Sequence, residues 1–315
     1  MNMDEPIITL GKTAIQIPPL GIGAWAWGDK LFWGFGQGYS DADCRAAFDT
    51  SIAAGVNFFD TAEVYGSGHS ESDLGLFVRE SKQQAVVATK FFPYPWRLSR
   101  GSLLPALRAS LRRLGLERVD LYQIHQALPP VAIETWVDAL GEAVQTGLTR
   151  AAGVSNYNAE HTRRAFDVLA KRGIPLASNQ LKYSLLDRHI ERDGTMQTCR
   201  ELGVSVIAYS PIEMGLLTGK YTPQNPPHGV RGFRYNRSYL AKIEPVIARL
   251  REMGAAHGGK TPAQVALNWT LCKGTVPIPG AKNARQAQEN IGALGWRLTE
   301  KEVAELDAAS LQAQR

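Results

Sequence analysis

The 315-residue chain is poor in cysteine and has no long apolar run. Its three cysteines, Cys44, Cys199 and Cys272, are widely spaced and odd in number, so they indicate neither a disulfide framework nor a metal site. We therefore expect no bound metal and a reducing compartment. No apolar stretch is long enough to span a bilayer, and the N-terminus lacks the basic start and apolar stretch of a signal peptide. These absences predict a cytoplasmic protein without membrane contact.

Neither the basic nor the acidic residues are clustered along the chain. The 35 Lys and Arg residues exceed the 30 Asp and Glu residues by only five, and no basic run forms a stripe. Nucleic acid is therefore not an expected partner. The apolar fraction of 44% and the charged fraction of 21% are ordinary for a globular protein. Since no linker or repeat interrupts the chain, we expect residues 1–315 to form a single domain and a monomer.

Eight short apolar segments alternate with longer amphipathic stretches. They cover residues 20–22, 56–59, 85–89, 119–124, 151–154, 176–179, 204–208 and 276–278. Little alternation within them is typical of parallel strands that are buried on both faces, and parallel strands need crossover helices. We predict a (β/α)8 TIM barrel. The alternative is an open doubly wound sheet, which would normally have a Gly-rich dinucleotide fingerprint after its first strand. Here the first strand runs into LGIGAW and an aromatic-rich stretch with no helical pattern.

Local signals place several helix ends. Ser70 with Asp73 and Asn158 are candidate N-caps, while Thr261 and Thr299 begin capping boxes, the second at an extra C-terminal helix. Glycines favoured as left-handed C-caps follow five helical stretches, at Gly55, Gly115, Gly147, Gly173 and Gly203. Residues 8–17 are predicted to form an N-terminal β-hairpin with a turn near Gly11. The Pro- and Gly-rich residues 221–239 are predicted to form a loop over a binding site.

Four polar side chains follow three neighbouring strands. Asp60 and Tyr65 come after the second strand, Lys90 after the third and His125 after the fourth. In a β/α barrel the active site lies at these C-terminal strand ends, so the four can converge. A buried Lys90 needs a counter-ion, and Asp60 is the obvious one. We expect the ammonium to lower the pKa of Tyr65 by about 1–3 units, making it a general acid for a developing alkoxide. His125 can orient the carbonyl by a hydrogen bond.

These residues lie in motifs that resemble the aldo-keto reductase superfamily. GVNFFDTAEVYG at residues 55–66 resembles its active-site signature, with ATK at 88–90 and DLYQIH at 120–125 matching the other positions. The resemblance covers essentially the whole chain. It is to a bacterial and plant-type branch related to potassium-channel β-subunits. It implies that Asp60, Tyr65, Lys90 and His125 are catalytic, that NADPH is the reductant and that aldehydes or ketones are the substrates.

The resemblance also implies a cofactor-binding set. Ser155, Asn156 and Gln180 would hold the nicotinamide carboxamide, and Tyr209 would stack on the nicotinamide ring. The loop SPIEMGLLTGK at residues 210–220 resembles the family's pyrophosphate loop. The complete set is Trp25, Ser155, Asn156, Gln180, Tyr209, Ser210, Pro211, Ile212, Gly215, Leu216, Lys220, Arg231, Gly280, Lys282, Gln286, Glu289 and Asn290.

The adenosine end departs from the best-known family pattern. That pattern has Lys-Ser at the positions of Gly280 and Ala281 and Arg at Gln286. By resemblance, Lys282 and Gln286 would contact the 2′-phosphate, with Glu289 and Asn290 on the adenine. Lys282, assisted by Arg285, is expected to compensate for the departure and to preserve preference for NADP.

Aromatic residues cluster just past the strand ends and predict an aromatic-walled substrate pocket. They are Trp25, Trp27, Trp33, Phe35, Phe91, Phe92, Tyr94 and Trp96. A small aldehyde, a dicarbonyl or a pyridoxal-like substrate would fit. Two other functions stay open. One is a non-catalytic or slow redox-sensing regulatory protein that binds NADP(H), and the other is an unrelated barrel enzyme such as a lyase or a phosphosugar isomerase.

Overall fold

The computed structural model of the chain describes residues 7–227, 232 and 235–313. Ten β-strands lie within these residues: β1 (Ile8–Thr9), β2 (Gln16–Ile17), β3 (Ile22–Gly23), β4 (Phe58–Asp60), β5 (Val86–Phe91), β6 (Val119–Ile124), β7 (Thr149–Ser155), β8 (Leu176–Lys182), β9 (Ser205–Tyr209) and β10 (Val276–Pro277). Eleven α-helices have their bounds there: α1 (Asp41–Ala53), α2 (His69–Ser81), α3 (Leu103–Leu114), α4 (Ile133–Gln145), α5 (Ala159–Ala170), α6 (His189–Arg192), α7 (Thr195–Leu202), α8 (Arg237–Ala256), α9 (Pro262–Cys272), α10 (Ala284–Ile291) and α11 (Glu300–Leu311).

Strands β3 to β10 form one parallel sheet in sequence order. Backbone hydrogen bonds also join its two edges. The Gly21 N–H donates to the Pro277 carbonyl at 3.0 Å, and the Gly23 N–H donates to the Pro279 carbonyl at 3.1 Å. The sheet is therefore closed and surrounded by helices. This confirms the predicted (β/α)8 barrel and excludes the open doubly wound sheet.

The two glycines of LGIGAW serve this closure. A Cβ atom on Gly21 would lie 2.5 Å from the Phe58 ring, and one on Gly23 would lie 2.9 Å from the Ile278 carbonyl oxygen. Both distances are too short for any side chain unless a neighbour moves. The Gly-x-Gly pattern after the first strand is thus explained by close packing of barrel strands.

The predicted N-terminal hairpin is confirmed as β1 and β2, which pair antiparallel. Its apolar side chains Leu10, Ile15 and Ile17 are buried against the barrel interior. Gly11 has a positive φ of 56°, and its N–H donates to the Ser205 hydroxyl at the first residue of β9. The hairpin therefore packs on the N-terminal end of the barrel and leaves the opposite end open.

Most of the predicted helix ends are confirmed. Asn158 accepts a hydrogen bond from the His161 N–H at 2.8 Å, and Thr261 and Thr299 both form capping boxes. The five predicted C-cap glycines all have positive φ. The Ser70 cap is wrong, because α2 already begins at His69. The Ser70 hydroxyl is buried and donates instead to the Ala24 carbonyl at 2.9 Å. This hydrogen bond joins α2 to the loop after β3.

Other expectations concern the chain after β9. Helix α8 begins at Arg237 with Asn236 as its cap, so the predicted loop ends earlier than residue 239. The predicted C-terminal helix is confirmed as α11. In the part of the chain that the structure describes, no helix has both the length and the apolar character needed to cross a membrane.

Candidate active site

A cleft of about 660 Å³ opens at the C-terminal ends of the barrel strands. Most residues predicted to act in catalysis or cofactor binding line it. They are Trp25, Asp60, Tyr65, His125, Ser155, Asn156, Gln180, Tyr209, Ser210, Pro211, Ile212, Gly215, Lys220, Gly280, Lys282, Gln286, Glu289 and Asn290. The structure therefore brings together side chains that are up to 265 positions apart in the sequence, from Trp25 to Asn290.

Three predicted residues are placed differently. Lys90 is completely buried behind the cleft, where it contacts Asp60 and Tyr65. Leu216 is only 1% exposed and packs in the hydrophobic core, so its side chain does not face the cleft. Arg231 lies outside the described residues.

Asp60 and Tyr65 line the cleft, and Lys90 lies buried behind them. The Lys90 ammonium forms a buried ion pair with Asp60 Oδ1 and donates to the Thr61 carbonyl at 2.8 Å. Its third contact is the Tyr65 hydroxyl oxygen, at 3.4 Å from Nζ. One buried cation thus bridges a carboxylate and a phenol, and both of these groups line the cleft.

The second oxygen of Asp60 is also satisfied. Gln123 donates to Oδ2 from Nε2 at 3.0 Å, and Gln180 does so at 2.8 Å. Sequence reasoning missed Gln123. The signal was available, because Gln123 lies two residues before His125 on β6 and strand alternation puts both on the same face. The two amides and Lys90 explain how a charged carboxylate is kept in the barrel interior.

The expected direction of the Tyr65 pKa shift is wrong for the protein alone. Burial raises the pKa of the Tyr65 phenol well above its ordinary value, and the negative charge of Asp60 raises it further. Burial also lowers the pKa of Lys90, against the opposing effect of the Asp60 carboxylate. Burial and the Asp60 charge therefore both favour the neutral phenol of Tyr65 over its phenolate. A neutral phenol carries a proton that it can donate in a hydrogen bond.

His125 is held as a neutral imidazole beside Tyr65. Burial lowers its pKa to about 3, and the nearby Lys90 charge acts in the same direction. Its ring lies edge-on to that of Tyr65, with centroids 5.8 Å apart, and also contacts Phe92. Within the described residues Nδ1 of His125 is buried without a hydrogen-bond partner. A neutral imidazole next to the Tyr65 phenol can form a hydrogen bond with a bound group without adding a charge.

The predicted carboxamide-binding side chains are linked to each other and to His125. Asn156 Nδ2 donates to the His125 carbonyl at 3.1 Å, and Asn156 Oδ1 accepts from the Tyr209 hydroxyl at 2.9 Å. The Ser155 hydroxyl donates to the Gln180 carbonyl at 2.9 Å. Asn156 adopts a positive φ of 60°, a conformation that Asn tolerates better than most residues. These contacts set amide and hydroxyl groups in one row beside His125 and Asp60.

The far end of the cleft carries cationic and amide side chains. Lys282, Arg285 and Gln286 all line it, at the start of α10. The Lys282 ammonium donates to the Trp33 carbonyl at 2.9 Å and lies over the Trp33 ring. The Lys282 N–H donates to Gln286 Oε1 at 2.9 Å. A helix N-terminus with two cations beside it favours a bound anion.

Three of the predicted pocket aromatics line the cleft: Trp25, Trp33 and Phe92. Trp25 contacts the Tyr65 ring with centroids 6.2 Å apart, and it also packs edge-on against Trp33 at 5.4 Å. An aromatic wall therefore stands directly beside the phenol. This wall suits an apolar or planar substrate.

The other predicted aromatics do not line the cleft. Trp27 and Phe91 are completely buried in the core, because they point away from the barrel mouth. Phe35 packs against Tyr39, just before α1, and against His69 at the start of α2, while Tyr94 stacks on Trp96 with centroids 4.5 Å apart. Sequence position after a strand end did not distinguish residues that face the cleft from those that face the helices.

A barrel with this site belongs to a definite class of enzyme. The Tyr65 phenol lies in the same cleft as a row of amide and hydroxyl groups and an anion-favouring helix end. This combination is typical of barrel oxidoreductases that use a nicotinamide dinucleotide. The family model described as "Aldo/keto reductase family" matches residues 19–311. The chain belongs to the aldo/keto reductase family and is an NAD(P)H-dependent oxidoreductase, as the sequence motifs predict.

Named relatives align along nearly the whole chain. The chloroplastic pyridoxal reductase of Arabidopsis thaliana is 42% identical over 310 residues, covering 94% of this chain and 84% of the relative. The L-glyceraldehyde 3-phosphate reductase of Escherichia coli is 32% identical over 320 residues, covering 94% and 90%. A solved aldo-keto reductase from Klebsiella pneumoniae in complex with NADPH has a TM-score of 0.78 and 26% identity, covering 99% of this chain and 97% of that one.

Proposed function

We propose that the protein reduces aldehydes or ketones to alcohols with NADPH, with Tyr65 as the general acid. The observation that carries the proposal is the Tyr65 hydroxyl, which faces the cleft with the Lys90 ammonium 3.4 Å behind it. A neutral phenol in that position can protonate a carbonyl oxygen. Lys90 can then stabilise the phenolate that remains.

The residues present fit a nicotinamide dinucleotide. Ser155, Asn156 and Gln180 have the hydroxyl and amide groups that a carboxamide needs. The side-chain Nε2 of Gln180 donates to Asp60 Oδ2 and to Gln123 Oε1. The Oε1 atom of Gln180 is therefore the one suited to accept a hydrogen bond from a carboxamide N–H. The cleft then continues to the cationic start of α10, which suits a phosphate. The Klebsiella relative, which holds NADPH on the same fold, supports this choice of cofactor.

The chain's own residues define the rest of the mechanism. NADPH, when bound, supplies the hydride. Tyr65 donates its proton to the carbonyl oxygen, and His125 orients that oxygen through a hydrogen bond from its neutral ring. The Asp60 carboxylate keeps Lys90 charged and in place, since an unpaired ammonium in the barrel interior would lose its proton.

The aromatic wall narrows the substrate class. Trp25, Trp33 and Phe92 favour an aldehyde on a planar ring over an aliphatic aldehyde, because a planar ring can stack on aromatic side chains. Pyridoxal is therefore the first substrate to test, and the pyridoxal reductase of Arabidopsis thaliana supports that choice. A cytoplasmic location and a monomeric state stay predictions from the sequence.

The direct test is a pair of measurements on the purified protein. Titration with NADPH should change the intrinsic fluorescence, because Trp25 and Trp33 line the cleft. Addition of pyridoxal or another aldehyde should then cause loss of NADPH absorbance. Tight NADPH binding with no turnover on any carbonyl would favour the regulatory alternative, and failure to bind NADPH would overturn the proposal.

The pH dependence of reduction follows from two shifted pKa values. Burial lowers the pKa of His125 to about 3 and raises that of Tyr65 well above its ordinary value. Between about pH 5 and about pH 9 neither group should change charge, so kcat/KM for reduction should be flat. At higher pH reduction should fall as Tyr65 loses its proton, while alcohol oxidation, which needs the phenolate, should rise. An inflection near pH 6.5 would contradict a buried neutral His125.

Cofactor preference should depend on Lys282. In Lys282→Glu, the Kd for NADPH should rise about tenfold to a hundredfold, since a hydrogen bond to a charged group contributes roughly 1.5–3 kcal/mol. The Kd for NADH should change little, because NADH has no 2′-phosphate. Lys301→Glu on the exposed surface of α11 is the charge-matched control. An equal rise of the Kd for both cofactors would show that Lys282 does not contact the 2′-phosphate.

A further inference from the structure

The loop that follows β9 has an unusual backbone. It continues into the short helix Glu213–Thr218, and its residues 210–212, 214, 215, 218 and 220 line the cleft. Three residues other than glycine have positive φ in it: Ser210 at 52°, Glu213 at 44° and Met214 at 52°. L-amino acids rarely adopt this conformation unless surrounding contacts impose it. Some contact must therefore hold this part of the loop.

The Glu213 side chain makes such contacts. It turns away from the cleft into the protein, where the residue is only 3% exposed. Oε1 forms an ion pair with the Lys182 ammonium at 2.8 Å. Lys182 is the last residue of β8, so the ion pair joins the loop to a strand of the barrel. Because the Glu213 carboxylate is buried, separating it from the Lys182 charge would be costly. The ion pair therefore holds the loop against the strand.

The same carboxylate holds a second segment of the chain. The Tyr235 hydroxyl donates to Glu213 Oε1 at 3.1 Å and lies 3.7 Å from the Met214 sulfur. Tyr235 is 1% exposed and lies two residues before Arg237, the first residue of α8. Glu213 therefore connects the loop after β9, the strand β8 and the segment before α8.

We propose that Glu213, held by Lys182 and Tyr235, is the positioning residue that keeps this loop ready for the pyrophosphate of the cofactor. This inference rests on the proposed function, since it assumes that NADPH binds in the cleft. Glu213 itself faces away from the cofactor and acts through the loop. Its contacts fix the backbone N–H groups of the loop before binding, so little order has to be gained when NADPH arrives. Its loss should mainly speed cofactor release.

Glu213→Gln is the principal test. The amide keeps the shape and one acceptor oxygen, and Lys182 keeps its ion pair with Asp187 at 2.9 Å, so the variant should fold. The dissociation rate of NADPH, measured by stopped-flow fluorescence, should rise about tenfold, which corresponds to roughly 1.4 kcal/mol. At saturating NADPH the KM for the carbonyl substrate should stay at the wild-type value. Purely structural damage would change both quantities together.

A matched pair of tyrosine variants separates the loop from general stability. Tyr235→Phe removes one donor to the Glu213 carboxylate and should increase NADPH release by about threefold to fivefold, which corresponds to roughly 0.7–1 kcal/mol. The effect should be smaller than that of Glu213→Gln because the ion pair with Lys182 remains. Tyr183→Phe is the control, because the Tyr183 hydroxyl likewise donates to a partly buried carboxylate, Glu191, that does not line the cleft. It should lower the melting temperature without changing NADPH release.

The outcomes distinguish the two proposals. Wild-type protein that fails to bind NADPH would overturn the proposed function. Wild-type protein that binds NADPH, with a release rate within about twofold of its value in both Glu213→Gln and Tyr235→Phe, would overturn the positioning role alone. If Glu213→Gln does not fold, Tyr235→Phe against Tyr183→Phe decides the question.

Discussion

Tyr65→Phe should lose carbonyl reduction by about 10²–10⁴-fold in kcat, the usual effect of removing one general acid. The phenol faces the cleft beside the neutral His125, and the structure places Lys90 behind it. Phenylalanine keeps the ring and its contact with Trp25, so NADPH binding should remain near the wild-type value. Steady-state kinetics with a fluorescence measurement of NADPH affinity would separate the two effects.

Tyr122→Phe is the matched control for this experiment. Tyr122 is completely buried in β6, and within the described part of the chain its hydroxyl has no hydrogen-bond partner. Removing that hydroxyl should leave both kcat and NADPH affinity unchanged. Near-normal turnover in Tyr65→Phe would show that another group, with His125 the first candidate, donates the proton.

Lys90→Met should reduce both stability and rate. The change removes the charge but keeps most of the side-chain volume, and it leaves the Asp60 carboxylate with only the amides of Gln123 and Gln180. Removing one partner of a buried ion pair typically costs about 3–5 kcal/mol of unfolding free energy. Reduction should also slow sharply, because no cation remains to stabilise the phenolate of Tyr65. Thermal melting and kinetics should be measured on the same preparation.

A double variant distinguishes loss of chemistry from loss of fold. Asp60→Asn with Lys90→Met removes both charges, so much of the lost stability should return while the rate stays low. In Lys90→Met alone, any residual alcohol oxidation should shift to higher pH, since loss of a nearby positive charge raises the pKa of Tyr65 further. A folded Lys90→Met protein with a wild-type rate and an unchanged pH profile would leave Lys90 as a counter-ion only.

The residues at the strand ends could be predicted from the sequence because their signals are local. Asp60, Lys90 and His125 each follow an apolar segment, and parallel strands bring such ends to one edge of a sheet. Capping residues were equally readable, as Thr261 and Thr299 show, because a capping box depends on only four consecutive positions. Gln123 was missed although alternation along β6 places it on the face of His125.

Other features depend on distances between remote residues. The direction of the Tyr65 pKa shift depends on burial and on the nearby Asp60 charge, and only the packed geometry showed that both raise the pKa. Trp27 and Phe91 lie near strand ends just as Trp25 and Phe92 do, yet they are buried in the core. No local pattern distinguishes the two orientations.

The amino-acid sequence by itself determined the barrel, the family and the residues at its strand ends, because apolar periodicity, caps and motifs are encoded over a few neighbouring positions. Only the tertiary structure decided how those residues work together. The closure at Gly21 and Gly23, the amides that hold Asp60 and the carboxylate of Glu213 that joins three segments all depend on contacts across more than 20 positions. Such contacts arise when the closed barrel fixes every strand end against the others.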